Sequence, residues 1–233
     1  MNVAYNMDCM EYMKTLPNKA FELAIVDPPY GIGEDGSKNA SRGMTPHSSK
    51  KHALGKSKDY KPFAGGDKEP PPAEYFNELF RVSQNQIIFG ANHFISRMPL
   101  DSHCWVVWDK QNGENDFADC ELAWTSFQSA VRKFEFRWQG MLQENMLNKE
   151  IRIHPTQKPV ALYEWLLAHY AKQGDRILDT HLGSGSSRIA AYNLGFDFVG
   201  CEIDKDYFNA QEARFAAHTA QMNLFVDKEV EQI

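Results

Sequence analysis

Phe21 to Val26 reads FELAIV, and no other run in the chain narrows the possible folds as much. So compact an apolar run suits a strand buried on both faces, which is the situation of a central strand in a parallel sheet. Such a strand needs helices above and below it, and the rest of the chain supplies the pattern. Short apolar runs predict further strands at Val3–Tyr5, Gln86–Phe89, Trp105–Trp108, Leu122–Phe127, Ile177–Leu178 and Phe196–Cys201. Between them, helices are predicted at Glu11–Leu16, stopped by Pro17, and around Tyr75, Phe76, Leu79 and Phe80, which share a helical face. Val160–Lys172 ends at Gly174, Ser186–Leu194 ends at Gly195, and Asp206–His218 is the last helix. Strands alternating with helices predict an α/β fold with a mostly parallel sheet. No internal repeat is visible.

Composition excludes some classes. The chain has 233 residues, 42% of them hydrophobic, which rules out a disordered chain. No apolar run approaches the roughly 18 residues of a membrane helix, and the first residues do not read as a signal peptide. Cys9, Cys104, Cys120 and Cys201 form no C-x-x-C pair, and the eight histidines show no metal-ligand spacing. Free thiols, a cytoplasmic location, no membrane and no metal are therefore expected. Length suits a single domain over 1–233.

The net charge of −6 by itself argues against phosphate binding. The charge is unevenly spread, however. Ser37 to Lys61 holds Lys38, Arg42, Lys50, Lys51, Lys56, Lys58 and Lys61 against Asp59 alone, a local charge of +6. These residues sit in a long loop, 31–68, rich in Gly, Ser, Lys and His. A loop of this length inside a domain is functional or disordered. Asp197 to Ile233 is acidic.

Two strand ends carry chemistry. Asp27-Pro28-Pro29-Tyr30 follows the FELAIV strand. Two prolines stiffen the backbone and remove two N–H donors, leaving the Asp27 carboxylate and the Pro28 carbonyl as acceptors beside the Tyr30 ring. That set matches the exocyclic amino group of a planar base, with Tyr30 stacking on it. A proline-ended strand with a surface Asp and Tyr would read the same way. Asp179-Thr180-His181-Leu182-Gly183-Ser184-Gly185 lies between a strand and a helix, and the strand after that helix ends in Glu202. The order suits a nucleotide, with the acid on ribose hydroxyls. Arg188 stands where a dinucleotide motif has its third glycine, and no Gly-Lys-Ser/Thr follows. Asp179 ahead of the glycines suggests a cationic ligand. An ordinary tight turn is the other reading.

Together with His154 to Pro159 (HPTQKP), these pieces resemble the S-adenosylmethionine-dependent amino-group DNA methyltransferases. DPPY is similar to their catalytic motif and LDTHLGSGS, Leu178 to Ser186, to their cofactor loop. The catalytic motif comes first, as in the permuted β group. The resemblance implies a Rossmann-like methyltransferase fold with a seven-stranded, mostly parallel sheet, an antiparallel hairpin around Asp109–Asp119 and helices on both faces. It implies that Asp27, Pro28, Pro29 and Tyr30 hold a flipped base. Asp179, Gly183 and Gly185 would line the methionine part of S-adenosylmethionine, Thr156 and Lys158 would lie near its carboxylate, and Glu202 would bind the ribose. Asp8 and Cys9 would contact the adenine of the cofactor. DPPY accompanies adenine as the target. Asp179-Thr180-His181 departs from the family's Asp-Pro-Phe.

The implied partner is double-stranded DNA, bound by a monomer or homodimer. Phosphate contacts are expected from the basic loop and from Arg132 and Lys133 in a short candidate target-recognition insertion, 128–152. There, Phe134, Phe136 and Trp138 alternate, which fits base stacking or one buried strand face. In the tail, 219–233, Gln221, Leu224 and Phe225 resemble peptides that dock on a replication sliding clamp, or pack back on the domain. Cytosine amino methylation, a silent nucleic-acid-binding homologue and an RNA or small-molecule methyltransferase are the rival readings.

Overall fold

The computed structural model describes residues 1–34, 60–62, 66–98, 101–112, 118–139 and 142–230. Its strands are β1 (Asn2–Tyr5), β2 (Phe21–Val26), β3 (Ser83–Phe89), β4 (Trp105–Asp109), β5 (Cys120–Thr125), β6 (Arg132–Glu135), β7 (Trp138–Gln139), β8 (Leu142–Gln143), β9 (Arg176–Asp179) and β10 (Asp197–Cys201). Its helices are α1 (Cys9–Lys14), α2 (Ala73–Val82), α3 (Val160–Tyr170), α4 (Ser186–Asn193) and α5 (Lys205–Val230). None is long and apolar enough to cross a membrane among the described residues.

The main sheet has eight strands in the order β1-β10-β9-β2-β3-β5-β4-β6, and β7 and β8 form a separate hairpin. β1 through β3 in that order pair in parallel. β5 runs against both β3 and β4, so the expected antiparallel hairpin is β4–β5. The seven expected strands gain an eighth, because Arg132–Glu135 pairs in parallel with β4. Its Lys133 and Glu135 give the sheet a charged edge, which discourages pairing with another chain.

β2 shows why the apolar run had to be central. Its Leu23 and Ile25 pack with Ile87, Phe89, Leu162 and Leu166 on the face covered by α3 and α4. Ala24 and Val26 pack with Met13, Tyr75, Phe76 and Leu79 on the face covered by α1 and α2. These four residues, Leu23 to Val26, are at most 1% exposed. Fully burying side chains of the size of Leu23, Ile25 and Val26 stabilises by about 1.5–3 kcal/mol each.

This order places the site. From β9 the chain goes on to β10 on one side, and from β2 it goes on to β3 on the other. The switch of direction between β9 and β2 opens a crevice at the carboxyl ends of the strands, where α/β sheets bind ligands. β2 ends in Asp27 and β9 ends in Asp179, with Ala24 paired to Leu178 just below.

The last helix is longer than the sequence pattern predicts. It continues to Val230, since no glycine or proline interrupts 205–230. Gln221 to Phe225 therefore lies inside a helix rather than in a separate tail.

Candidate active site

Asp27 sits at the top of β2 with a side chain 15% exposed. Tyr30 donates its hydroxyl to Asp27 Oδ1 at 2.7 Å, and Lys158 Nζ lies 2.5 Å from Oδ2. Lys158 also donates to the Tyr30 hydroxyl at 3.2 Å. The three side chains close a triangle. Lys158 is further paired with Glu121 Oε2 at 3.0 Å, and Glu121 with Lys110. Acid and base thus alternate along the chain Asp27, Lys158, Glu121, Lys110.

Strand directions explain the assembly. β2 and β4 end at this edge of the sheet, bringing Asp27 and, just past β4, Lys110. β5 runs the other way, so its beginning, with Glu121, reaches the same edge opposite Trp108. Lys158 comes from the turn ahead of α3. Its neighbour Gln157 accepts the Trp138 indole N–H at 2.8 Å, which fixes that turn.

Burial pushes the Asp27 carboxyl above the usual carboxylate range, and the opposing charge of Lys158 only partly reverses this. Burial also works against ionised Glu121, but the ammonium groups of Lys158 and Lys110 outweigh it and hold that carboxyl down at about 2. Lys158, although buried, is held above the ordinary lysine value by Asp27 and Glu121. Burial and the adjacent Asp27 charge keep the Tyr30 phenol protonated.

Tyr30 needs a glycine beside it. Gly90, just past β3, has φ +69°, and a Cβ there would lie 2.1 Å from Tyr30 Cε1. His93 stacks on the Tyr30 ring with centroids 5.2 Å apart.

The second half of the site is the loop after β9. Gly183 and Gly185 have φ +52° and +73°, a conformation L side chains rarely adopt. Asp179 accepts the His181 N–H at 3.0 Å and the Ser187 hydroxyl at 2.5 Å. Burial lifts its carboxyl to about 7, and the charges of Asp27 and Glu202 add to the lift. Glu202 accepts the Gly183 N–H at 2.8 Å and the Asp204 N–H at 2.8 Å, and burial raises it too. Two buried acids whose strongest charged neighbours are other acids form a donor set that suits a cationic ligand. His154 packs on Gly183, and burial, with the Lys158 charge, holds the imidazole neutral with a pKa near 3. Thr156 Oγ1 lies 3.1 Å from His154 Nδ1 and belongs to this side. In the departure at 180–181, the Thr180 hydroxyl meets the Tyr75 hydroxyl at 2.6 Å and His181 Nδ1 at 2.9 Å.

The remaining expected residues fall as follows. Asp8 caps α1, its Oδ1 accepting the Met10 and Glu11 N–H groups, and burial, with the Asp8 charge, lifts the Cys9 thiol to about 12. Lys158, expected near the cofactor carboxylate, has its ammonium against Asp27 and Glu121, because burial demands an ion partner and these acids supply two. Lys61 is paired with Asp206 and its carbonyl accepts the Tyr207 hydroxyl, so its charge is already neutralised. Lys133 is paired with Asp109 and Glu135, while Arg132 is exposed. Lys38, Arg42, Lys50, Lys51, Lys56 and Lys58 lie outside the described residues, as do the side chains of Leu224 and Phe225. Asp67, 4% exposed, accepts the Gly31 and Glu34 N–H groups and ties the two ends of the long basic segment together next to Tyr30. Phe134 stacks on Phe136 and packs against Trp165, and Trp138 is 7% exposed. The alternation is that of a packed face.

Sequence reasoning passed over Glu121, Lys110, Gly90 and His154 as site residues. His154 lies inside the HPTQKP segment, so its signal was present. The other three carry none in sequence, since only strand pairing brings them to Asp27 and Tyr30.

Residues 102–213 match the family model described as "DNA methylase", of the N6/N4 amino class. The type II methyltransferase M1.MboII of Moraxella bovis is 23% identical over 274 aligned positions, covering 96% of this chain and 99% of that protein. The M1.HpyAVI complex with S-adenosylmethionine matches with a TM-score of 0.54 and 22% identity, over 92% of this chain and 100% of that one. The cytosine-N4-specific PvuII DNA methyltransferase matches with a TM-score of 0.57 and 12% identity, over 92% and 86%.

Proposed function

We infer, from this kinship with the S-adenosylmethionine-dependent amino-group DNA methyltransferases, that the chain methylates an exocyclic amino group of a base in double-stranded DNA, and that the base is adenine. The observation that carries the reading is the Asp27 carboxylate, held by Tyr30 and Lys158 at the crevice between β2 and the glycine loop of β9.

S-adenosylmethionine, with its ammonium and sulfonium, fits the acidic side of the site, and when bound it supplies an activated methyl group. Asp179, Gly183, Gly185, Thr156 and Glu202 would hold it. The other half of the work falls to the residues on β2. An amino nitrogen conjugated with its ring is a poor nucleophile. Asp27 and the Pro28 carbonyl each accept one of its two N–H groups and draw the lone pair out of conjugation. They also fix the nitrogen for in-line attack, which needs a reacting distance of about 3–3.5 Å. A paired base cannot reach this crevice, so it is flipped out at a cost of a few kcal/mol. His93 already covers one side of the Tyr30 ring, so the base stacks on the other and offsets part of that cost.

Backbone contacts to DNA are assigned to the segment that leaves and returns at Asp67, beside Tyr30, with Lys38, Arg42, Lys50, Lys51, Lys56 and Lys58 as its cations. Arg132 adds to them from the edge strand.

Transfer of labelled methyl to DNA followed by nucleoside analysis tests the function. N6-methyladenine is expected. N4-methylcytosine would replace adenine by cytosine, and no label on any DNA would overturn the reading.

Cofactor binding has its own expected pH dependence. A cationic ligand favours ionised Asp179, whose carboxyl stands at about 7 in the free chain. Below that pH, binding must expel a proton. Affinity for S-adenosylmethionine therefore rises by about fivefold from pH 6 to pH 7 and by about twofold more to pH 8, where it levels off. Calorimetry in buffers of different ionisation heat would show proton release at pH 6 and none at pH 8. Asp179→Asn would remove both the release and the pH dependence.

A further inference from the structure

We propose that Lys158, steadied by Glu121 and through it by Lys110, is the positioning residue that aims the Asp27 carboxylate and keeps it a pure hydrogen-bond acceptor. The proposal rests on the reading above, in which Asp27 accepts an amino N–H.

The geometry is specific. Lys158 donates hydrogen bonds to Asp27 Oδ2 at 2.5 Å and to the Tyr30 hydroxyl at 3.2 Å, and its ammonium makes an ion contact with Glu121 Oε2 at 3.0 Å. Its side chain is 4% exposed and its ammonium lies 4.9 Å from the centre of the Phe89 ring, so water cannot replace these partners. Because the Tyr30 hydroxyl accepts a hydrogen bond from Lys158 and donates one to Asp27 Oδ1, the triangle fixes the rotation of both side chains at once. A carboxylate still has two lone-pair directions free after accepting two bonds. Those are what an amino group would use.

Ionisation is the second half of the argument. Only the ionised carboxylate is acceptor-only; a protonated one would offer a donor to an amino group that itself donates. The groups facing Asp27 are Tyr30 from its own turn, Lys158, Glu121 from β5, Tyr163 from α3 and Asp179 from β9. Lys158 is the one cation among them. Glu121 alone would make matters worse for Asp27, since it adds a like charge. Its use is to hold the ammonium in place, with Lys110 neutralising its other oxygen. Two acids and two bases then share a largely buried row, with Lys158 its most enclosed member, without a net charge.

A carbon-13 titration of the Asp27 carboxyl, assigned with Asp27→Asn, tests this without relying on turnover. The pH profile of kcat for methyl transfer is read beside it. Lys158→Met should raise the Asp27 midpoint by about one pH unit or more, and the acid limb of kcat should follow it upward. Glu121→Gln should lower the midpoint and move the acid limb the other way, and Lys158→Arg should leave the midpoint within about half a pH unit of the original. A role in packing alone would reduce kcat without moving the limb in opposite directions. An Asp27 midpoint that stays put in Lys158→Met, or that moves the same way in Lys158→Met and Glu121→Gln, overturns the proposal. If Lys158→Met does not fold, Glu121→Gln and Lys158→Arg decide it by the same criterion. Midpoints that shift as stated in a chain that methylates no DNA support the ion row and overturn the functional reading.

Discussion

Asp27→Ala should lower methyl transfer by about 10³-fold, the scale seen when one preorganised hydrogen-bond partner of a reacting group is removed. The loss should appear in kcat. In the proposed mechanism Asp27 touches the base only when its amino group is held for attack, so affinity for DNA should change little. S-adenosylmethionine affinity should stay within about threefold, because the acids assigned to it, Asp179 at the end of β9 and Glu202 just past β10, make their own bonds to Ser187, His181, Gly183 and Asp204. The fold should survive, since Lys158 keeps Glu121 and Tyr30 as partners. Asp27→Asn separates charge from shape. It keeps one acceptor oxygen but turns the other position into a donor facing Lys158, so its activity should fall between the two. Single-turnover transfer of labelled methyl, with calorimetry of cofactor binding, measures all of this. Turnover by Asp27→Ala within tenfold of the unmodified chain would remove Asp27 from the chemistry.

Local residues were readable because their roles are local. FELAIV was a strand buried on both faces since all its neighbours in the sheet are parallel and both faces carry helices. DPPY and the glycine loop were readable as strand ends with unusual backbone needs. What stayed hidden was created by pairing over long distances. Glu121 is an ordinary surface acid in sequence, and it becomes part of the site only because β5 is inverted. Lys158 was expected beside the cofactor carboxylate, but its ammonium lies against acids of this chain, Asp27 and Glu121. Its nearest carboxylates are 131 and 37 residues away in this chain. Lys61 and Lys133 looked like phosphate contacts because counting charges ignores partners, and each has an acid beside it. Such exposed pairs are weak and loosen further with salt, so they limit DNA contact without forbidding it. The alternation of Phe134 and Phe136 fitted two readings because stacking on bases and packing on a core ask for the same side chains.

Net charge shows the same limit. A total of −6 says little about DNA when acids and bases are sorted in space. The acids of the site are inward. Asp27, Glu121, Asp179 and Glu202 lie at the crevice and are partnered there, while Asp67 ties Gly31 and Glu34, where the basic segment begins, beside Tyr30. In the proposed function, a cationic cofactor and an anionic polymer would then answer to different charges of this chain.

Gly90→Ala should damage both stability and activity, and the two costs can be separated. The backbone at Gly90 has φ +69°, which for an L side chain costs about 1–2 kcal/mol. The added Cβ would also sit 2.1 Å from Tyr30 Cε1 and 2.3 Å from Cδ1. The ring cannot simply swing away, because its hydroxyl is bonded to Asp27 and Lys158 and its face is stacked on His93. Overpacking of this kind costs a further ~1–3 kcal/mol. The melting temperature should fall by about 6–12 °C at roughly 3 kcal/mol of total loss in a chain of this size. Gly195→Ala is the control. Gly195 has nearly the same φ, +73°, yet a Cβ there meets nothing within 4 Å. It should show the backbone cost alone, with normal methyl transfer. Gly90→Ala should lose transfer by about 100-fold or more even well below its melting temperature, since a displaced Tyr30 takes with it one of the two bonds that orient Asp27. If both variants melt alike and both transfer methyl normally, Tyr30 has another place to go, and the triangle it forms with Asp27 and Lys158 is not what holds the carboxylate.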